Sequence, residues 1–533
     1  MNKVDVKNII SQVQNCDKLV VYGAGFWAKK VQTAFLKYNI KVDYFVVSNE
    51  QENNQKEIRG IPVYEFGDCE HEIKNMKAMV IIAVGDNYEA EIRDSLEKAK
   101  IDNYVCLSDL ICKDIQEMEC GTVVNEEDLF LQNIAEWYVL SQKNGIDELE
   151  LVINQLRTTI EMPEIEKRRN EVAFVVMYPM PRLVKIAKAL YESGVNITIF
   201  LCSDMIDLGG YADEVKQYSS FCFECFSEEE LYYQLIYCKA SIVHLFSPWG
   251  YPELSYSIIK YKKFFPKIVF ETTDILAGMI ANIDEKWIEA ERFCLENADG
   301  VCCRGYELEY LKEHLGYKIH NSITFMDYCK NDMVVTPHKK EAELSLCYAG
   351  GFVYDEEALV ATKSIFREVA VKCAENKCHL HIYPRDWNDE AYSEFIKLDH
   401  NCDYFHFHHP VPYTNLCSVL SQYDYSICPA RKNFLDKEIA GCHTRNKYIY
   451  ASTNQFFDAL DAGIPIIAST PTIFLKAFEQ EGVVLKRTIE EYNFDEMREM
   501  KKKLQRNCQS AHDKFAIKNN IDKLIKFYRT IIN

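Results

Sequence analysis

The sequence predicts an α/β protein of three doubly wound units, the first set apart from the other two by a helical connector. Three observations carry that expectation. Apolar β-type runs alternate with amphipathic helical stretches in three separate series, glycine turns follow the opening strands of the first and third series, and a long charged stretch without strands divides the first series from the rest. At 533 residues the chain is too long for a single core and suits about three domains.

The first series opens on Lys18-Leu19-Val20-Val21-Tyr22, turns through Gly23-Ala24-Gly25-Phe26-Trp27-Ala28 and enters a helix whose apolar face holds Trp27, Val31, Phe35 and Tyr38. Further strands at 42–47 and 79–84 and a helix at 88–98 complete a Rossmann-like unit over residues 1–114. Residues 115–169 carry Leu149, Val152, Ile153 and Leu156 at helical spacing and form the connector. The second series, 170–336, runs from a strand at 172–177 through Tyr178-Pro179-Met180-Pro181-Arg182 into a helix ended by Gly194, with strands at 197–202, 242–246 and 268–271. The third, 337–510, has strands at 344–349, 379–383, 404–407, 425–428 and 465–468, and a turn at Gly350-Gly351. Residues 494–532 hold neither Pro nor Gly and are expected to be helical to the end, with 511–533 as a closing helix. Two such lobes in tandem imply a cleft between them, where α/β proteins place ligands.

Composition narrows the function classes. Lys and Arg number 61 against 81 Asp and Glu, a formal charge of −20, so the general field repels nucleic acid and anionic membrane surfaces. The first sixteen residues are polar, and no run reaches the ~18–20 apolar residues of a membrane span. The expected location is the cytoplasm, with a peripheral place at the inner membrane face compatible with it. The 21 cysteines are scattered through strand-like and helix-like segments and read as reduced thiols; Cys222-Phe223-Glu224-Cys225 is a lone pair with no partner at zinc-ribbon spacing. His400, Cys402, His406, His408 and His409 could ligate a metal, but they run into Pro410-Val411-Pro412-Tyr413, and no metal is expected there.

The stretch Ser452-Thr453-Asn454-Gln455-Phe456-Phe457-Asp458-Ala459-Leu460-Asp461-Ala462-Gly463-Ile464-Pro465-Ile466-Ile467-Ala468 resembles the acidic-Ala-Leu-x-x-Gly-x-Pro segment of nucleotide-sugar-dependent glycosyltransferases of the GT-B superfamily. That resemblance extends from residue 172 to the C-terminus. It implies a cytoplasmic, bacterial-type enzyme of polysaccharide biosynthesis that moves a sugar from a nucleotide-sugar donor to a saccharide or lipid-linked acceptor, on a cell-surface polysaccharide or a glycoprotein, with no cofactor or metal required. In that reading the second series is the acceptor lobe and the third the donor lobe. Asp458 becomes the candidate for the donor ribose, since a carboxylate accepts hydrogen bonds from hydroxyls, an ordinary helix-surface acid being the other reading. Gly463 suits a left-handed helix end, and Asn454 opens the same helix.

Tyr348-Ala349-Gly350-Gly351-Phe352 looks like the family's diphosphate turn, where glycines let the backbone approach phosphate near a helix N-terminus. Relatives carry an Arg and a Lys just after it, whereas this chain has Phe352 and Val353, so Arg385 and Arg431 are the preferred replacement cations, ahead of Arg445 and Lys447. Tyr450 stands where retaining members carry a Glu, which leaves the stereochemistry open. The segment 268–274 and Asn297-Ala298-Asp299-Gly300 match the acceptor lobe; Asp274 is the candidate catalytic base if the enzyme inverts, and a helix N-cap otherwise. Arg182 is an acceptor-side candidate.

Gly23, Gly25 and Ala28 fit the GxGxxG/A dinucleotide turn, but the acid expected after the second strand is replaced by Val47-Ser48-Asn49, with Glu50 the nearest carboxylate. With Gly60-Ile61-Pro62-Val63 and 81–84, this domain resembles the sugar-nucleotide-binding domains that precede bacterial sugar acetyltransferases, which implies a bound nucleotide or nucleotide sugar. Two alternatives stay open: an NAD(P)-dependent oxidoreductase or epimerase using this first domain, and a non-catalytic nucleotide-sugar-binding protein.

Overall fold

In the computed structural model, residues 12–13, 16–25, 28, 31–32, 35, 40–48, 56–58, 61–76, 78–84, 86–106, 168–202, 211–225, 228–236, 238–247, 252–272, 275–279, 283–333, 343–353, 359–385, 387–432, 443–469 and 475–533 are described. Of the connector expected at 115–169, residues 115–167 lie outside them and Arg168 and Arg169 open a strand instead; Asp274, Glu50 and Gly60 also lie outside them. The chain divides into two compact units, one of Met1–Glu166, Phe200–Met205 and Phe223–Lys239, the other of Lys167–Ile199, Ile206–Cys222 and Ala240–Asn533.

The first unit holds β1 (Leu19–Tyr22), β2 (Tyr44–Val47), β3 (Glu57–Ile58), β4 (Ile61–Glu65), β5 (Met79–Ile82) and β6 (Tyr104–Cys106), in the order β3-β4-β2-β1-β5-β6 and parallel except for β3 against β4. Val21, Phe45 and Ile81 pack on one face, and Val20, Val46 and Ile82 on the other. Both faces being covered, the strands read as unbroken apolar runs.

A seven-stranded sheet follows: β7 (Arg168–Val176), β8 (Asn196–Leu201), β9 (Phe221–Glu224), β10 (Ala240–Ser247), β11 (Lys267–Thr272), β12 (Gly300–Cys303) and β13 (Ser322–Thr324), in the order β13-β12-β11-β10-β7-β8-β9. A six-stranded parallel sheet closes the chain: β14 (Leu344–Gly350), β15 (Cys378–Pro384), β16 (Phe405–Phe407), β17 (Tyr425–Cys428), β18 (Ile466–Ala468) and β19 (Val484–Lys486), in the order β16-β15-β14-β17-β18-β19. Numbered within itself, that last sheet reads 3-2-1-4-5-6, the doubly wound order, and the other two sheets follow the same rule around their first strands. The α/β expectation of three such units is therefore met. In each sheet the chain direction of winding reverses beside the first strand, so the turns after β1, β7 and β14 sit where ligands bind in this architecture.

One expectation is corrected. Residues 494–532 are not one helix but two, Phe494–Phe515 and Ile521–Ile532. At Ala516 the backbone swings to ψ 134°, because Cys329 N–H donates to Phe515 O and Ile517 N–H donates to Cys329 O, at 2.9 and 3.0 Å. Two backbone bonds to another segment outcompete the helix, and the Asn520 amide then satisfies the carbonyls of Lys514 and Ala516. The pair Asn519-Asn520 was the sequence signal for a break, since asparagine favours caps and turns.

The second helix lies on β10 and on the helix Pro181–Glu192. Its Tyr528 hydroxyl is 2.6 Å from His244 Nδ1, and a side chain at Gly300 would strike Ile531 and Phe527, which is why that position is glycine. His244 Nε2 lies 3.2 Å from Glu271, and Glu271 receives Arg182 Nε at 2.8 Å. Arg182 also donates to Met326 O at 2.6 Å and to Asp327 at 3.4 Å. All these side chains are buried. Burial works against the Arg182 charge, but Glu271 and Asp327 outweigh it and hold the guanidinium protonated. Burial likewise works against the Glu271 carboxylate, yet Arg182 and His244 pull it down to about 2. Arg182, expected on the acceptor side, is thus enclosed in the core with its donors spent on these partners.

Removing one partner from a buried ion pair leaves the others uncompensated, so Arg182→Met is expected to destabilise the second unit by about 3–5 kcal/mol, read from its urea unfolding. Because Glu271 titrates below its ordinary value, its contribution is complete above about pH 4.5 and lost as pH falls towards about 2. The wild-type thermal midpoint should therefore fall through that window more steeply than that of Arg182→Met.

Candidate functional site

The second unit places the two expected lobes together, and a few close backbone approaches hold them. Tyr306 N–H donates to Tyr450 O at 2.6 Å, and a β-carbon on Gly305 would lie 2.5 Å from Tyr450 O and 2.6 Å from Ser452 N, so only glycine permits the contact. Gly278, at φ +79°, has its carbonyl taken by Asn446 at 2.8 Å, and a side chain there would collide with the Tyr310 hydroxyl. Ser452 Oγ donates to Asp327 at 2.9 Å, which joins the buried Arg182 network to the segment leading into the helix Asn454–Asp461.

That helix carries two of the expected site residues, Asn454 and Asp458, and the third, Gly463, lies just past its end. Its end is a Schellman cap: Ile464 N–H donates to Ala459 O and Gly463 N–H to Leu460 O, with Gly463 at φ +70°. Its start has no side-chain cap, since Thr453 makes no capping bond, and the Asn454 Oδ1 is buried without a hydrogen-bond partner. Gln455 donates to Ala349 O at 3.0 Å, tying this helix start to the turn after β14. A β-carbon on Gly350 would come within 2.3 Å of the Gln455 amide and break that tie, whereas the Gly351 Cα faces open space. The glycine turn thus lies beside the start of the Asn454 helix, whereas the helix that follows the turn in sequence, Lys363–Glu375, is capped by Thr362, whose side chain accepts from Ile365 N–H.

Asp458 is 7% exposed, so the helix-surface reading of it falls. The Tyr413 hydroxyl reaches its Oδ1 at 3.4 Å, Lys330 lies over the Tyr413 ring, and the Tyr211 ring meets Tyr413 edge-on. Burial raises the carboxyl to about 7, with Asp461 and Asp327 adding to the shift and Lys185 and Lys330 opposing it. Asp461, which the sequence reading passed over, is wholly buried and accepts from Lys330 N–H at 2.9 Å and His512 Nε2 at 3.1 Å, so the second acid of the segment fastens the helix to its surroundings.

Of the two preferred cations, Arg385 is exposed at the end of β15 and donates through Nη2 to the hydroxyl of Tyr178, in the turn after β7 of the other lobe. Arg431 does not join it. Its guanidinium sits 2.9 Å from Glu368 and 3.9 Å from Glu490, so a carboxylate already takes the place expected for a phosphate. The backbone N–H of Lys432 also donates to Glu490, at 3.0 Å. Phe352, which stands where the resemblance leads one to expect a cation, packs against Tyr348, Phe366 and Phe395. Lys185, Lys330, Tyr178, Tyr413 and Gln455 were not singled out by sequence; only Gln455 had a local signal, lying inside the matched segment.

In the first unit, Gly23 N–H donates to Val46 O at 2.8 Å, and its φ of +119° and a β-carbon 2.5 Å from Ala83 O both require glycine. The Gly25 Cα has nothing within 4 Å, and Ala28 is fully buried. Where an acid was missing, the Ser48 hydroxyl lies 3.2 Å from the Tyr22 hydroxyl. Among the described residues the cysteines are free thiols.

No protein-family model matches the chain, and no curated protein matches it in sequence. Among solved structures it is similar to sucrose-phosphate synthase from Thermosynechococcus elongatus, at 13% identity over 68% of this chain and 99% of that one, with a TM-score of 0.48. It is also similar to the pneumococcal O-GlcNAc transferase GtfA solved with UDP and GlcNAc, at 11% identity over 55% and 57% of the two chains and a TM-score of 0.40. A UDP-GlcNAc 2-epimerase from Neisseria meningitidis, solved with UDP-GlcNAc, gives 11% identity over 68% and 100% and a TM-score of 0.39.

Asp458 titrates above its unfolded value, so the folded protein holds a proton that the unfolded chain releases, and stability falls as pH rises from about 4 through about 7. Asp458→Asn removes that loss. The variant is expected to match or trail the wild type near pH 4.5 and to melt several degrees higher at pH 8, with about 4 kcal/mol as the upper bound for a shift of this size.

Proposed function

We propose that the second unit is a glycosyltransferase, moving a sugar from a nucleotide-sugar donor to a saccharide-type acceptor in the cleft between its two lobes, without a metal. The observation that carries this reading is the unpartnered, buried Asn454 Oδ1 at the uncapped start of a helix that is bridged by Gln455 to the Gly350 turn. An uncapped helix start offers N–H groups and the positive dipole end to a diphosphate, and a bare amide oxygen suits a sugar hydroxyl. Asp458, one turn along, would accept from ribose hydroxyls, and Arg385 would neutralise the departing diphosphate once it turns from Tyr178. In the reaction the bond from the anomeric carbon to phosphate oxygen breaks, the bond to the acceptor oxygen forms, and the acceptor proton passes to a base. Asp274 is proposed as that base if configuration inverts.

The donor lobe is proposed as residues 337–510 and the acceptor lobe as 170–336, with residues 1–114 holding a nucleotide or nucleotide sugar around Gly25. Among the described residues no helix is long and apolar enough to cross a membrane, which agrees with a proposed place in the cytoplasm or at the inner face of its membrane. A polysaccharide or glycoprotein acceptor is proposed on the same footing. A second reading, a nucleotide-sugar binder without turnover, draws on Phe352, which stands where the resemblance leads one to expect a cation.

A thermal-shift and turnover screen with UDP-, GDP-, CMP- and dTDP-sugars and NAD(P) tests these readings. Donor hydrolysis, with a rate reduced at least tenfold in Arg385→Ala and donor stabilisation lost in Asp458→Ala, is the expected result. Stabilisation by a nucleotide sugar with no product from any acceptor would favour the binder. Stabilisation by NAD(P) alone, lost in Gly25→Val, would overturn the transferase and move the function to the first unit.

A further inference from the structure

Histidines that the sequence placed in a run of unassigned character meet others across two strands. β15 and β16 pair in parallel with His381 opposite His406. Alternation then puts His379 and His381 of β15 and His406 of β16 on one face, with His408 just past the end of β16 beside His381, while Leu380, Ile382, Phe405 and Phe407 turn to the apolar core on the other. His409 leaves the group and packs on the Trp387 ring. The assembled set differs from the one the sequence offered: neither His400 nor Cys402 belongs to it, and His379 and His381 come from 27 and 25 residues before His406.

His379 Nδ1 and His406 Nε2 face each other at 2.9 Å. On their far sides, His379 Nε2 lies 3.1 Å from Glu343 and His406 Nδ1 lies 4.0 Å from Asp399. With a proton on one inner nitrogen the contact is a hydrogen bond, and a cation that displaced that proton would take a lone pair from each ring. Carboxylates on the outer nitrogens are also the arrangement that orients metal-binding imidazoles and raises their basicity. A ligand nitrogen of His381 lies within 4.8 Å of the other two, and His381 Nδ1 is held by His408 Nε2 at 3.0 Å.

We propose that His379, His406 and His381 form a binding site for one divalent transition-metal ion of the zinc class. His379 Nδ1, His406 Nε2 and His381 Nε2 are the ligands, Glu343, Asp399 and His408 support them, and water completes the shell. At a metal–nitrogen distance of ~2.0–2.1 Å, tetrahedral ligands stand about 3.3 Å apart, so the facing pair opens by about 0.4 Å and His381 closes by up to about 1.5 Å. Three imidazoles suit zinc, copper or nickel better than magnesium or calcium. His379 and His406 are 21% and 30% exposed, which gives the ion an entry path. The ion would clasp edge strand β16 to β15, apart from the Asn454 helix, and the inference does not rest on the proposed transferase.

The test uses the full chain without an affinity tag, stripped by chelator and titrated at pH 7.5 with Zn2+ by calorimetry and with Co2+ by absorbance. One equivalent is expected, with the d–d spectrum of nitrogen and oxygen ligands and a rise of several degrees in thermal midpoint. His379→Gln and His406→Gln should each abolish that equivalent while melting as the wild type does in chelator. Glu343→Gln, which touches only an outer nitrogen, should weaken it by roughly 10–100-fold. Absence of binding below millimolar metal would show that a proton alone bridges the pair and would overturn the proposal. So would a thiolate charge-transfer band in place of the d–d spectrum, or an equivalent that survives in both histidine variants.

Discussion

The second unit depends on one buried guanidinium. Arg182 sits at the first turn of the helix that follows β7, yet it grips Glu271 at the end of β11, the carbonyl of Met326 and the carboxylate of Asp327. Through Glu271 it reaches His244 and the last helix, and through Asp327 it reaches Ser452 and the helix start at Asn454. A charge enclosed this far from water is tolerated only where every donor is matched, so the network ties β10 and β11 of one lobe to Ser452, just ahead of the Asn454 helix of the other.

The order of elements was largely legible because a doubly wound sheet writes itself into sequence as apolar runs of four to eight residues separated by helical spacing. Gly463 was legible down to its conformation, for a helix ending at Gly before Pro has few other outcomes. The two-helix ending was not, because the break at Ala516 is imposed by Cys329, almost two hundred residues away, and no local preference encodes that bond. Arg182 misled for the same reason: a cation in a loop after a strand looks like a ligand group until its distant carboxylates are known. Arg431 and Arg385 have alike local settings, and only the fold reveals that Glu368 waits for one and Tyr178 for the other.

Glycines in this chain divide into those that packing demands and those it leaves free. Gly23, Gly278, Gly300 and Gly305 are each pressed by a backbone or ring atom that would exclude a side chain. Among the described residues, a β-carbon on Gly25 or Gly351 would meet nothing within 4 Å. The histidine face on β15 and β16 shows the complementary case, side chains whose arrangement the core does not require.

The last helix also governs how the protein can be made. His244 lies 284 residues before the tyrosine that meets it, and at roughly 5–20 residues per second a ribosome needs some fifteen seconds to a minute to cover that span. During that interval β10 and Gly300 present an apolar surface shaped for a helix not yet synthesised. The middle lobe therefore cannot finish folding in the order of its synthesis, and a nascent chain halted before residue 521 would hold that surface open to any holdase within reach.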